Sequence, residues 1–160
     1  MRPSPGVKVK QLRPEARLPA YMTPGAAGAD LYAAVVEPVR IAPGERTVIP
    51  IGIALEIPEG FEGQVRPRSG LAVRDGLTVL NTPGTIDSDY RGEINVIVVN
   101  LGQKECWVRT GDRVAHVGRD SARPDIWRFG HMGINVNNLV ATHSLPPLAS
   151  VRVDSAVVFV

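Results

Sequence analysis

Cysteine is nearly missing from this chain: Cys106 stands alone among 160 residues. A single thiol closes no internal disulfide, and no Cys/His cluster has metal-ligand spacing, so neither bridges nor a structural zinc are expected. Lysine is almost as scarce, at Lys8, Lys10 and Lys104 only, which leaves arginine to supply most of the 18 Lys+Arg set against 16 Asp+Glu. A formal net charge of +2 is not the composition of a nucleic-acid-binding protein. No apolar run approaches the roughly 20 residues needed to cross a bilayer. The opening MRPSPGVKVK lacks the apolar centre of an export signal, so a cytoplasmic protein without membrane partners is expected. Long stretches of helical period are also lacking.

What the sequence does contain is punctuation. Sixteen Gly and 14 Pro break it into short β-branched stretches, which predicts an all-β fold of one domain. Strands are expected over Thr47 to Ile57, with Pro50 and Gly52 marking a bulge or edge, and over Phe61 to Arg66, Leu77 to Leu80, Glu93 to Asn100, Glu105 to Arg109 and Arg113 to Val117. Only Ser69 to Asp75, after Pro67, invites a short helical turn. Composition changes near His116: residues 117–160 hold no Lys or Glu, and His131 and His143 both fall there. The chain therefore divides into a core, 1–116, and an atypical C-terminal segment, 117–160. That segment has a loop-like stretch at 133–138, a break at Pro146 and Pro147, and an apolar end, Ala156 to Val160, with strand character.

Three chemical devices lie between Pro67 and Asn100. Arg68-Ser69-Gly70 places a guanidinium, a hydroxyl and an unobstructed backbone in succession, as phosphate binding requires. Taken alone, the spacing favours a Ser-capped turn with a surface Arg. Asn81-Thr82-Pro83-Gly84-Thr85-Ile86 fixes a tight turn whose backbone N–H and C=O groups can meet the edge of a planar base, although an ordinary hairpin has the same pattern. In Asp87-Ser88-Asp89-Tyr90-Arg91-Gly92 a carboxylate could orient and deprotonate water while a tyrosine presents its face to a sugar. A solvated loop with a surface ion pair is the plainer alternative. The closeness of the three devices favours a nucleotide site.

With Ala27-Gly28-Ala29-Asp30-Leu31 before them and Gly111-Asp112-Arg113-Val114-Ala115 after them, these motifs closely resemble, in order, those of the homotrimeric dUTPase family. The resemblance implies a β-clip or distorted β-barrel, a homotrimer with sites between subunits, and hydrolysis of dUTP to dUMP and pyrophosphate. By position, Arg68, Ser69 and Gly70 would bind phosphates. Asn81 and the backbone of Gly84, Thr85 and Ile86 would read uracil, and Tyr90 would lie against deoxyribose. Asp87 would hold the attacking water. Mg²⁺ would ride mainly on the triphosphate, with Asp30 reaching it through a metal-bound water.

The chain departs from the family pattern in three places. His116 stands where Gln is usual, with a ring N–H that can serve phosphate, and Asn95 stands where the family often has Lys near the nucleotide. No Gly-rich arm with an Arg and an aromatic residue closes the sequence; Arg128-Phe129-Gly130-His131-Met132-Gly133 is the nearest match and reads better as a loop. An active dUTP diphosphatase is the first expectation. A catalytically impaired relative that binds nucleotide or protein, and a dCTP deaminase-like enzyme, are the alternatives.

Overall fold

Short β-branched runs separated by Gly and Pro cannot build long strands, so the chain folds as many brief ones. The computed structural model describes residues 6–121, with side chains to Gly118. Its elements run β1 (Lys8–Gln11), β2 (Ala29–Tyr32), β3 (Val39–Ile41), β4 (Arg46–Pro50), β5 (Ile53–Glu56), β6 (Phe61–Pro67), α1 (Ser69–Asp75), β7 (Leu77–Val79), β8 (Gly84–Ile86), β9 (Asn95–Asn100), β10 (Cys106–Val108) and β11 (Arg113–Ser121). The sheet orders are β2-β11-β6-β8 and β4-β9-β7, beside the pairs β1-β5 and β3-β10. Every pairing is antiparallel.

The sheets close on one core. Leu31, Ile49, Ile51, Ile53, Val65, Ile86, Ile94, Val96, Val98 and Val117 are almost fully buried in a single cluster. Each such side chain contributes roughly 1.5–3 kcal/mol of transfer free energy. The expected all-β class with one short helix is what forms.

The stretch Thr47 to Ile57 is not one strand. Gly52 adopts φ +73°, and a Cβ there would lie 2.7 Å from that of Ala16, so the backbone turns where only glycine fits. On one side of this bend β4 pairs with β9, and on the other β5 pairs with β1. A bulge signal in the sequence thus marks a change of sheet. The strands β1, β2, β3 and β8 were not expected, because each has only three or four residues and β2 carries Asp30 in its middle. The segment Asn81 to Ile86 is not a hairpin connection either. β7 pairs with β9 and β8 pairs with β6, so the turn carries the chain between sheets. Leu77 and Val79 enter the core from one sheet, Gly84 and Ile86 from the other.

Helix α1 is anchored at its C-terminal end. Gly76 caps it in the left-handed region at φ 71°, donating its N–H to the Ala72 carbonyl at 3.1 Å, and Leu101 N–H donates to the Gly76 carbonyl at 2.9 Å. The buried Asn100 holds that neighbourhood: its amide donates to the carbonyls of Ile41 (2.9 Å) and Lys104 (2.8 Å), and its Oδ1 accepts from Gly102 N–H at 2.9 Å. Arg128 to Gly133, the loop at 133–138, His131, His143, the Pro146–Pro147 break and the strand expected over Ala156 to Val160 lie outside the described residues.

Gly76→Ala tests the anchor, since its Cβ would meet the Gly102 nitrogen at 2.3 Å. Strain at positive φ together with the clash should cost about 2–4 kcal/mol, seen as a lower midpoint in urea denaturation. A midpoint within error of wild type would show that the helix does not depend on this contact.

Candidate functional site

Asp30 is the most informative polar residue of the core. It lies in the middle of β2, 7% exposed, opposite His116 of β11. A carboxylate so placed needs compensation, and two guanidiniums supply it. Arg68 Nε lies 3.3 Å from one oxygen and Arg113 Nη1 3.1 Å from the other. Arg68 follows the last residue of β6 and Arg113 opens β11, so one carboxylate gathers three elements. Arg68 also donates from Nη1 to the Arg113 carbonyl at 3.4 Å. A guanidinium has more donors than these bonds use, and both arginines line a cleft of about 330 Å³.

The same cleft is lined by Gly28, Asp30, Ser69, Gly70 and His116. Ser69 is not a cap. Arg68 holds the N-cap position with no side-chain cap bond, and Ser69 is the first helical residue. A Cβ on Gly70 would meet nothing within 4 Å, so its missing side chain leaves open space rather than relieving a clash. Gly28 is the opposite case: a Cβ there would lie 3.0 Å from the His116 ring and 3.1 Å from the Val117 carbonyl. The ring is held there, half-buried. Burial lowers the His116 pKa, the Asp30 charge opposes that, and Arg66 and Arg68 reinforce it.

The other expected residues lie elsewhere. Asp87 lines a second cleft with Ile57, Glu59, Phe61, Glu62, Ser88, Asp89 and Arg91, and the two clefts share no lining residue. Asn81 and Thr85 are exposed, while Gly84 and Ile86 are buried. The side chain of Ile86 belongs to the core, which leaves its backbone for recognition. β8 is the edge of its sheet, bonded to β6 on one side, and among the described residues no strand pairs with its outer edge. Such an edge presents N–H and C=O groups in line.

Tyr90 closes the loop after β8. Its ring packs against the core, and its hydroxyl donates to the Glu93 carbonyl at 2.9 Å. Burial, then the Glu93 charge, raise its pKa and keep it a donor. Asn95 donates from Nδ2 to the same carbonyl at 3.1 Å. Sequence reasoning had not singled out Arg113 or Glu93 as site residues. Arg113 stood within a recognised motif, whereas Glu93 had no local signal, its partners being distant in sequence.

Comparison with known proteins identifies the family and the fold. The dUTPase family model matches residues 14–117. The deoxyuridine 5'-triphosphate nucleotidohydrolase of Syntrophotalea carbinolica is 58% identical over 111 residues, 69% of this chain and 76% of that protein. The enzyme of the same name from Aquifex aeolicus is 58% identical over 114 residues, covering 69% and 75%. Among solved structures, the dUTPase of Staphylococcus bacteriophage 80alpha has a TM-score of 0.67 at 25% identity, covering 76% of this chain and 94% of that one. A mutant dUTPase of phage phi11 of S. aureus, described with a structural Mg(II) ion, has a TM-score of 0.68 at 23% identity, covering 80% and 99%.

A histidine buried with a depressed pKa gives the native state stability that is complete above the unfolded value, about 6.5. The stability is lost as pH falls below that, because the unfolded chain takes the proton first. Between pH 7.5 and 5, His116→Gln should therefore lose less thermal stability than wild type. Parallel profiles would show that burying the imidazole carries no energetic weight.

Proposed function

The chain belongs to the dUTPase family, and from that premise and the geometry we propose that it hydrolyses dUTP to dUMP and pyrophosphate in sites shared between subunits of a homotrimer. One observation carries the reading: Arg68, Ser69 and Gly70 line one cleft and Asp87 lines another, with no residue in common. A second copy that sets its Asp87 cleft against Arg68, Ser69 and Gly70 completes the constellation. Further support comes from α1, which buries none of its residues in its own subunit and leaves Val73 88% exposed, as an element covered by a neighbour would.

In this reading Arg68 and the Ser69 hydroxyl hold the phosphates over the open space at Gly70. The His116 ring donates one N–H to a phosphate oxygen. Uracil meets the outer edge of β8, where the backbone of Gly84, Thr85 and Ile86 supplies hydrogen bonds and Asn81 adds its amide. The relatives bearing the nucleotidohydrolase name support that base. Tyr90 lies against the deoxyribose, and Asn95, bonded to the same carbonyl, stands beside it.

Asp87 accepts a proton from a water as the water oxygen bonds to the α-phosphorus. The bond from that phosphorus to the bridging oxygen breaks, and pyrophosphate leaves with the electron pair. Oriented general-base help of this kind contributes about 10²- to 10⁴-fold. No covalent enzyme intermediate is needed.

Mg²⁺ fits as part of the substrate rather than as a resident ion. Among the described residues no three His, Cys, Asp or Glu side chains are grouped to hold a metal, and each Asp30 oxygen already faces a guanidinium. An ion carried by the triphosphate would meet Asp30 through one of its waters, which Mg²⁺ retains readily. When bound, it neutralises phosphate charge.

The test is pyrophosphate release from dUTP with Mg²⁺, run beside dTTP, dCTP and UTP. Release confined to dUTP is expected, falling about 10²- to 10⁴-fold in Asp87→Asn. Equal release from all four would exclude the base-reading role of β8. Co-refolding Asp87→Asn with Arg68→Ala should restore activity at about one site in four, because one subunit supplies what its neighbour lacks. No restoration would place both residues in a site within one chain.

A further inference from the structure

Glu93 is held at both of its ends. Its backbone carbonyl accepts from the Tyr90 hydroxyl at 2.9 Å and from Asn95 Nδ2 at 3.1 Å. Its carboxylate accepts from Arg13 Nη2 at 2.8 Å on one oxygen, with Arg13 Nε 2.8 Å from the other, which is a two-pronged guanidinium contact. Gly52 N–H adds a third bond at 3.1 Å.

The far side of this contact is equally fixed. Gln11 Nε2 donates to the carbonyls of Arg13 (3.0 Å) and Ala16 (3.1 Å), folding the turn that carries Arg13. Leu12 N–H donates to the Gly52 carbonyl at 2.7 Å, so both polar groups of Gly52 are engaged. Gly92 tightens the near side, where a Cβ would lie 2.5 Å from the Tyr90 hydroxyl oxygen. A turn near residue 13 is thereby joined through Glu93 to the tyrosine ring.

We propose that Arg13 and Glu93 are positioning residues that set the Tyr90 ring and, through it, discrimination between deoxyribose and ribose triphosphates. The inference rests on the dUTP-hydrolysing reading above, in which Tyr90 faces the sugar. Neither Arg13 nor Glu93 touches the nucleotide. As a partly exposed pair they add little to stability. Their effect is geometric: they fix the Glu93 carbonyl that holds the hydroxyl, and a ring free to tilt leaves room for a 2′-hydroxyl.

The experiment compares kcat/KM for dUTP and for UTP in wild type, Arg13→Met, Arg13→Lys, Glu93→Gln and Tyr90→Phe, with thermal unfolding of each. Arg13→Met and Glu93→Gln should lower the dUTP-to-UTP ratio about tenfold, mainly by improving UTP, with Arg13→Lys intermediate. Combining Arg13→Met with Glu93→Gln should lower the ratio no further than either alone. A ratio unchanged in the folded single variants, even with a lower melting temperature, would reduce the pair to a structural contact and overturn the proposal. Should those variants fail to fold, Tyr90→Phe decides: it removes the hydroxyl bond directly, and an unchanged ratio there also overturns the proposal. A wild type that releases no pyrophosphate from dUTP would instead remove the enzymatic reading on which the proposal rests.

Discussion

Much of the site depends on how one carboxylate is kept in the core. Asp30 has displaced its hydration shell for two guanidiniums, and each is attached to a different part of the chain. Removing a partner from such a pair leaves a charge without compensation and costs more than forming the pair gains. The arrangement therefore fixes the start of α1 relative to the bend at the start of β11, where the register shifts between Arg113 and Ala115. The side chains that line the cleft are positioned by an interaction that lies mostly beneath the surface. The same two arginines line the cleft, so in the proposed reading structural compensation and ligand attraction would come from one set of atoms.

The second half of the machinery is held by different means. The loop from Asp87 to Gly92 is short, and its geometry follows from backbone acceptors: the Asp87 carbonyl takes the Tyr90 N–H at 3.1 Å, and the Glu93 carbonyl takes the Tyr90 hydroxyl. Its foundation is Ile94, fully buried, whose N–H and C=O bond Ile53 and Ile51 on either side of the Gly52 bend. The backbone of β8 and the Tyr90 ring thus rest on the core, while Asp87 itself stays exposed at its cleft. Rigid support beneath and exposure above is the division expected of a site that admits a nucleotide between two surfaces.

Much of this was legible in the residues. Gly and Pro spacing indicated all-β structure, β9 and β11 fell where β-branched runs placed them, and Ser69 to Asp75 formed its helix. The motifs around Arg68, Asn81 and Asp87 carried the nucleotide reading. Long-range pairing was not legible. Nothing near Asn81 tells that β7 and β8 belong to different sheets, because sheet membership is decided by β6 and β9, which are remote partners. Nor does Glu93 show locally that it bonds Arg13, 80 positions away. The clefts escaped for the same reason, since each is lined from several elements.

Helix α1 has a thermodynamic consequence of its own. It fully buries none of its seven residues and lacks a side-chain cap at its start, so it is held by few contacts: Leu71 against the core, Arg68 on Asp30, and the Gly76 end. Segments with so few buried contacts open at far lower free energy than the strands packed on the core. In an isolated subunit its amides would exchange with solvent long before those of β9. In the proposed reading, phosphates held by Arg68 and Ser69 would engage only the closed form, and nucleotide concentration would then become a variable in the folding of this helix through mass action. Substrate, in that sense, would be one of the forces that complete the secondary structure.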